Sequence, residues 1–177
     1  MRSFYTRLGP AHNILQLTML LETVNLALSS PALTPAMLRA SKAYLFLLPS
    51  AVSSREKIVG CVIAQRIETA MAIAPESTPS EDSSRTLVSV DPASSLYCYP
   101  EPLPTHLGIP RMFVSSVHRR QGIVGHLLTA AAETFLHGCP LDPSKGEVAF
   151  TQPTGLGGMV IKKWGGGGVR IYEESII

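Results

Sequence analysis

The chain reads as an α/β domain, and three observations carry that reading. Strand-like and helix-like apolar periodicities alternate along it. Hydrophobic residues make up 45% of the sequence and charged residues only 16%, which is the composition of a chain that builds a core. The length of 177 residues suits one such core and is short for two. A single domain spanning 1–177 is therefore expected.

The elements follow in order. From about Ala11 to Ser29 the residues Ile14, Leu17, Leu21, Val24 and Leu28 recur every three or four positions, which predicts a helix. Ser29, Ser30 and Pro31 end it. Gln16, Glu22 and Asn25 interrupt its apolar run, which is shorter than the roughly 20 residues a bilayer span needs. No small-residue cleavage site follows, so a buried helix is expected, with no membrane partner. A second short helix is expected around Thr34 to Ser41, with Thr34 as its cap and Pro35 in its first turn. Ala43–Leu48 and Ile58–Ile67 are aliphatic and β-branched runs separated by polar residues 53–57, the pattern of a hairpin.

Residues 74–106 differ in kind. Six prolines and seven serines fall in this stretch. Proline denies a strand ladder its donors, and little apolar surface offsets the ordering entropy. An exposed, disordered insertion within the domain is expected there. Beyond it, Ile109–Ser115 predicts a strand, Val117–Gly122 a polar turn, and Ile123–Leu136 a helix stopped by Gly138 and Pro140. Glu147–Phe150 predicts a short strand, Leu156–Trp164 a weak helix, and Val169–Tyr172 a last strand. The glycine run Gly165–Gly168 and the pair Gly157-Gly158 suggest loose local packing.

Charge and cysteine usage exclude several function classes. Fifteen basic residues against thirteen acidic ones give a net charge of +2, too small for a broad basic field. Direct nucleic-acid binding is not expected. Cys61, Cys98 and Cys139 are widely spaced and form no CxxC pair, so neither a metal site nor a disulfide framework is expected.

The stretch that carries chemistry is a strand, Arg111-Met112-Phe113-Val114, followed by His118-Arg119-Arg120-Gln121-Gly122-Ile123-Val124-Gly125 at a helix start. A helix start directs unpaired backbone N–H groups outward and carries partial positive charge. Two arginines add cationic donors, and two glycines leave room for a phosphate near the backbone. The spacing is neither that of a Walker A loop nor GxGxxG. Taken alone, the same residues also describe an ordinary solvated helix cap.

The turn resembles the Arg/Gln-x-x-Gly-x-Gly/Ala sequence with which GCN5-related N-acetyltransferases hold the pyrophosphate of coenzyme A. Arg119 fills its first position and Gly122 its fourth, while Val124 departs from Gly or Ala at the sixth. The surroundings are more specific. Leu107-Gly108-Ile109-Pro110-Arg111-Met112-Phe113-Val114-Ser115, Ala131-Ala132-Glu133-Thr134-Phe135, Gly138-Cys139-Pro140-Leu141 and Val148-Ala149-Phe150-Thr151-Gln152-Pro153-Thr154-Gly155 resemble the cohesin acetyltransferases, fungal members above all. The Val59–Ala64 and Val169–Tyr172 strands resemble that family too.

The resemblance implies a mixed, mostly antiparallel twisted sheet of the GCN5-related type with helices on both faces. It implies acetyl-CoA as co-substrate without a metal, a lysine of the cohesin ATPase subunit as acceptor, and a nuclear role in sister-chromatid cohesion. By the same resemblance Met112, Phe113 and Val114 hold the CoA arm, Arg119, Arg120, Gln121, Gly122, Ile123, Val124 and Gly125 wrap the pyrophosphate, and Thr154, Gly155 and Leu156 line the far side of the cleft.

The chain also departs from the family. Where some members place an aspartate after the strand equivalent to Val148–Phe150, and a serine before the preceding strand's arginine, this sequence has Gln152 and Pro110. Leu156 stands at a further position that is often acidic in the family. Gln152 stands in the catalytic position but its amide takes up no proton, which leaves Glu147, on the strand leading to the cleft, and His118, beside the turn, as candidates for the acceptor's proton, with Tyr172 as a candidate donor to the departing thiolate. A surface charge for Glu147 and a solvated turn residue for His118 are the plainer readings. The family's N-terminal Cys/Cys/His/His zinc finger has no counterpart in these 177 residues. A CoA-binding or cohesin-binding module with little or no catalysis is the alternative this leaves.

Overall fold

The structure, a computed structural model, describes residues 2–7, 20–26, 31–49, 56–75, 87–91, 96–151 and 155–174. They fall into two compact units, Met1–Gln65 with Arg111–Ala131, and Arg66–Pro110 with Ala132–Ile177.

In the first unit, strands β1 (Arg2–Arg7), β2 (Ser41–Pro49) and β3 (Glu56–Arg66) pair antiparallel in that order. The C-terminal half of β7 (Leu107–Val114) lies beside β3. The expected hairpin is present, in register Tyr44↔Val62, with a bulge between Phe46 and Leu47. Val59 to Ala64 are all buried, so β3 shows a continuous apolar run where a half-exposed strand would alternate. Of the expected first helix, residues 20–26 are described and form α1. The second helix, α2 (Pro35–Arg39), forms as its sequence directs. Thr34 Oγ1 accepts from the Met37 N–H at 3.2 Å, and Pro35 supplies the first turn. Leu21, Leu33, Leu38, Ala43, Cys61 and Ile63 pack into one cluster.

Helix α3 (Ile123–Thr134) begins in the same unit. Gly60 sets how closely it approaches β3, since a Cβ there would sit 2.8 Å from Ile123 Cγ2 and 3.3 Å from Leu127 Cδ1. Arg111 is buried, and its Nη2 donates to the Pro31 carbonyl at 2.8 Å and its Nε to Asn25 Oδ1 at 3.2 Å. That ties the middle of β7 to α1 and the segment after it.

The second unit holds β4 (Thr69–Ile73), β5 (Val88–Asp91), β6 (Leu96–Pro104), the start of β7, β8 (Val148–Phe150), α4 (Gly155–Gly165) and β9 (Arg170–Ile171). β7, β8 and β9 pair parallel, and β9–β4, β4–β6 and β6–β5 pair antiparallel. The sheet pairings are thus mixed and mostly antiparallel, as the resemblance implies. The irregular insertion expected over 74–106 is corrected for residues 88–91 and 96–104, which are strands; 76–86 and 92–95 lie outside the described residues. The prolines mislead because of their spacing. Pro102 and Pro104 alternate opposite β4, so their missing donors fall on one side of β6, Pro100 sits where the β4–β6 register shifts, and β5 pairs only with Leu96–Cys98.

Candidate functional site

Site residues Met112, Phe113 and Val114 end β7, half buried, and the Ser115 N–H donates to the Val59 carbonyl at 2.9 Å. A short 3₁₀ turn, Ser116–His118, carries the chain to the start of α3. Its polar side chains are spent on holding it. Ser115 Oγ and His118 Nδ1 lie 2.7 Å apart, Arg119 Nε donates to the Val114 carbonyl at 3.4 Å, and Gln121 Nε2 donates to the Val117 carbonyl at 3.5 Å.

The backbone then does something a plain cap does not require. Arg120 has φ 63° and Gly122 has φ 76°, and Arg120 is the one non-glycine residue with positive φ among those described. A left-handed arginine costs ~1 kcal/mol. Left-handed residues before a helix turn successive N–H groups into a concavity that suits an anion. The first bond into α3 runs from the His126 N–H to the Gly122 carbonyl at 3.1 Å, so the N–H groups of Ile123, Val124 and Gly125 precede the intrahelical ladder. A Cβ on Gly125 would meet no atom within 4 Å, and one on Gly122 nothing nearer than 3.7 Å. Arg119 and Arg120 are exposed, and the first turn of α3 has no acidic residue. Open backbone donors and helix polarity meet here beside two exposed arginines, which fits a diphosphate.

Of the remaining sequence-predicted residues, Glu147, Gly155, Leu156 and Tyr172 lie in the second unit. Gln152 and Thr154 are outside the described residues; Gly155 and Leu156 open α4, where their backbone alone is described. Glu147 is half buried and its Oε2 accepts from the Asp142 N–H at 2.6 Å, closing the loop before β8. Tyr172 is buried, with its ring against Gly108 and its N–H on the Phe150 carbonyl at 2.9 Å. Burial pushes the Cys61 thiol up to about 12 and that of Cys98 to about 11, so neither is a nucleophile at neutral pH. No cluster of three or more metal-ligating side chains occurs among the described residues. Sequence reading passed over His126, whose Nδ1 lies 2.9 Å from the Gly122 carbonyl oxygen. Its signal was available: a histidine four residues after a glycine cap stands one turn above that cap.

The fold is that of a GCN5-related acetyltransferase domain. The solved xEco2 acetyltransferase domain bound to a CoA conjugate superposes with a TM-score of 0.75, covering 97% of this chain and 91% of that one at 22% identity. A second structure of the xEco2 domain superposes at 0.71, over 94% of this chain and 86% of that one at 24% identity. Residues 103–172 match the family described as ESCO1/2 acetyl-transferase. N-acetyltransferase ECO1 of Yarrowia lipolytica is 44% identical over 72 residues, 41% of this chain. Human N-acetyltransferase ESCO1 is 31% identical over 125 residues, 71% of this chain. The chain belongs to this cohesin acetyltransferase family, and the matches span 26% and 15% of the length of those two relatives.

Proposed function

We propose that this chain transfers the acetyl group of acetyl-CoA to a lysine of the cohesin ATPase subunit, in the nucleus and in the service of sister-chromatid cohesion. The observation that carries the reading is the left-handed pair Arg120 and Gly122 opening α3, in a chain of this family.

Bound acetyl-CoA supplies an activated acyl group. The backbone of Met112–Val114 would hold its arm, and the donors of Gly122–Gly125 with Arg119 and Arg120 its pyrophosphate. Fixing the thioester in this way converts an encounter into a positioned reaction, worth several kcal/mol of barrier. The acceptor lysine must be neutral, which costs roughly 4 to 5 kcal/mol at pH 7 from the reference value for lysine. Glu147 is the carboxylate proposed to take that proton, with Gln152 orienting the amine. A second reading is favoured by the Glu147–Asp142 bond, since a carboxylate committed to its own loop is a poor base. On that reading the chain binds acetyl-CoA and turns it over slowly or not at all.

Thermal melting with and without acetyl-CoA, on the wild type and on Gly122→Asp, tests the cofactor site. Ligand stabilisation follows RT ln(1 + [L]/Kd), so at a hundredfold excess over Kd a gain of about 2.7 kcal/mol is expected in the wild type, and none in the variant. No shift at millimolar ligand would remove the enzyme reading. Acetylation of a cohesin peptide by Glu147→Gln then separates the two readings. A loss of ~10²–10⁴ in rate is expected for a base, and turnover already absent in the wild type leaves the binding module.

A further inference from the structure

His126 belongs to neither the resemblance nor the mechanism above. It is exposed, one turn into α3, and its Nδ1 lies 2.9 Å from the Gly122 carbonyl oxygen. A carbonyl oxygen only accepts, so Nδ1 carries a hydrogen and Nε2 is the ring nitrogen left for another partner. The same bond holds the ring over the turn. Its Nδ1 and Cε1 both lie 3.7 Å from where a Cβ on Gly122 would be, and Nε2 is the next ring atom beyond Cε1. This is the side on which glycine leaves the backbone open.

The fixed charges of the turn itself, Arg119 and Arg120, are of one sign. His118, Arg119 and Arg120 stand on the turn, and the first turn of α3 adds no acid. β3, against which α3 packs through Gly60, carries the exposed Lys57 two residues before Val59, whose carbonyl accepts from the Ser115 N–H, and Glu56 precedes it. No carboxylate of the turn or of that first helical turn is therefore placed to capture a protonated ring, and an anion brought to the open backbone is its natural partner.

The geometry points to His126 as a phosphate-binding residue of the CoA site, its protonated Nε2–H donating to a pyrophosphate oxygen while Nδ1–H stays on Gly122. The inference rests on the acetyl-CoA reading and adds a consequence: proton binding and cofactor binding support each other, so affinity rises as pH falls.

Dephospho-CoA is the suitable probe. It lacks the 3′-phosphate, which titrates near neutrality, and its pyrophosphate keeps one charge state across the range. Its dissociation constant is measured by calorimetry on the full chain at about pH 5.5 and about pH 8, either side of the range in which imidazoles change charge. Wild type, His126→Asn and His118→Asn are compared. Asparagine keeps a donor where Nδ1–H was and removes the imidazole with its Nε2. The wild type is expected to bind about 5- to 10-fold more tightly at the lower pH, the increment of a charge-assisted hydrogen bond at an exposed site. His126→Asn should bind within about twofold of wild type at the higher pH and show a flat profile. A wild-type slope retained in His126→Asn overturns the inference, as does a slope lost in His118→Asn instead. A flat wild-type profile with measurable binding overturns the inference alone; no binding at either pH overturns the acetyl-CoA reading as well.

Discussion

Gly122 and Gly125 open α3, and Gly165 and Gly168 close α4 and the turn after it. In sequence the two groups look alike. In space the first pair faces room, with nothing nearer than 3.7 Å to an added Cβ on Gly122 and nothing within 4 Å of one on Gly125. The second pair has none. A Cβ on Gly168 would run into the backbone of Ser144, and one on Gly165 into the side chain of Val169. Gly146, with φ 76°, lies under the Arg170 guanidinium, whose Nη1 donates to the Pro104 carbonyl at 2.6 Å and to Thr105 Oγ1 at 2.9 Å. The looseness expected of the 165–168 run is thus corrected at Gly165 and Gly168, where the chain closes most tightly. A missing side chain leaves the backbone open in one place and permits close packing in the other.

Substitution separates the two uses. The largest effect is expected at Gly168→Ala, where the neighbour is backbone and cannot rotate away. A loss of ~3 kcal/mol, about 6–12 °C in Tm, should appear in melting without ligand. Gly125→Ala should do the reverse. Alanine in place of a helical glycine stabilises by ~0.5–1 kcal/mol, so Tm should rise slightly while the stabilisation by acetyl-CoA shrinks, because the methyl occupies the phosphate's approach. A Gly125→Ala protein that melts lower and binds unchanged would dissolve the contrast.

The smallest effect belongs to Asp142, which organises the packed loop. Its carboxylate accepts from the Ser144 hydroxyl at 2.6 Å and the Ser144 N–H at 2.9 Å, with Lys145 Nζ 3.6 Å away. The Ser144 hydroxyl first, then its N–H, and Lys145 last hold this carboxyl below the usual carboxylate value. The stabilisation is therefore present above the unfolded-state value and disappears as pH falls through the folded one. Asp142→Asn should melt slightly below wild type at neutral pH and level with it under acid, in melting curves across pH.

Much of the first unit was legible because its signals are local. Thr34-Pro35 caps α2, the Ile123, Leu127, Ala131 repeat marks α3, and an arginine-glycine stretch between strand and helix marks the left-handed turn before it. What failed was non-local. β4, β5 and β6 are held by pairing partners up to a hundred residues away (Met71↔Ile171), and no periodicity within a proline-rich stretch announces such a partner.

By itself the sequence determined the alternation of elements, the caps, the family and the turn before α3, since each is written in residues a few positions apart. Tertiary structure alone decided which glycines face open space and which lie against other chain segments. It also spent the Glu147 carboxylate on its own loop and set the His126 ring over Gly122. Those outcomes depend on where other segments come to rest, and free energies of close packing and of side-chain hydrogen bonding exist only once they have.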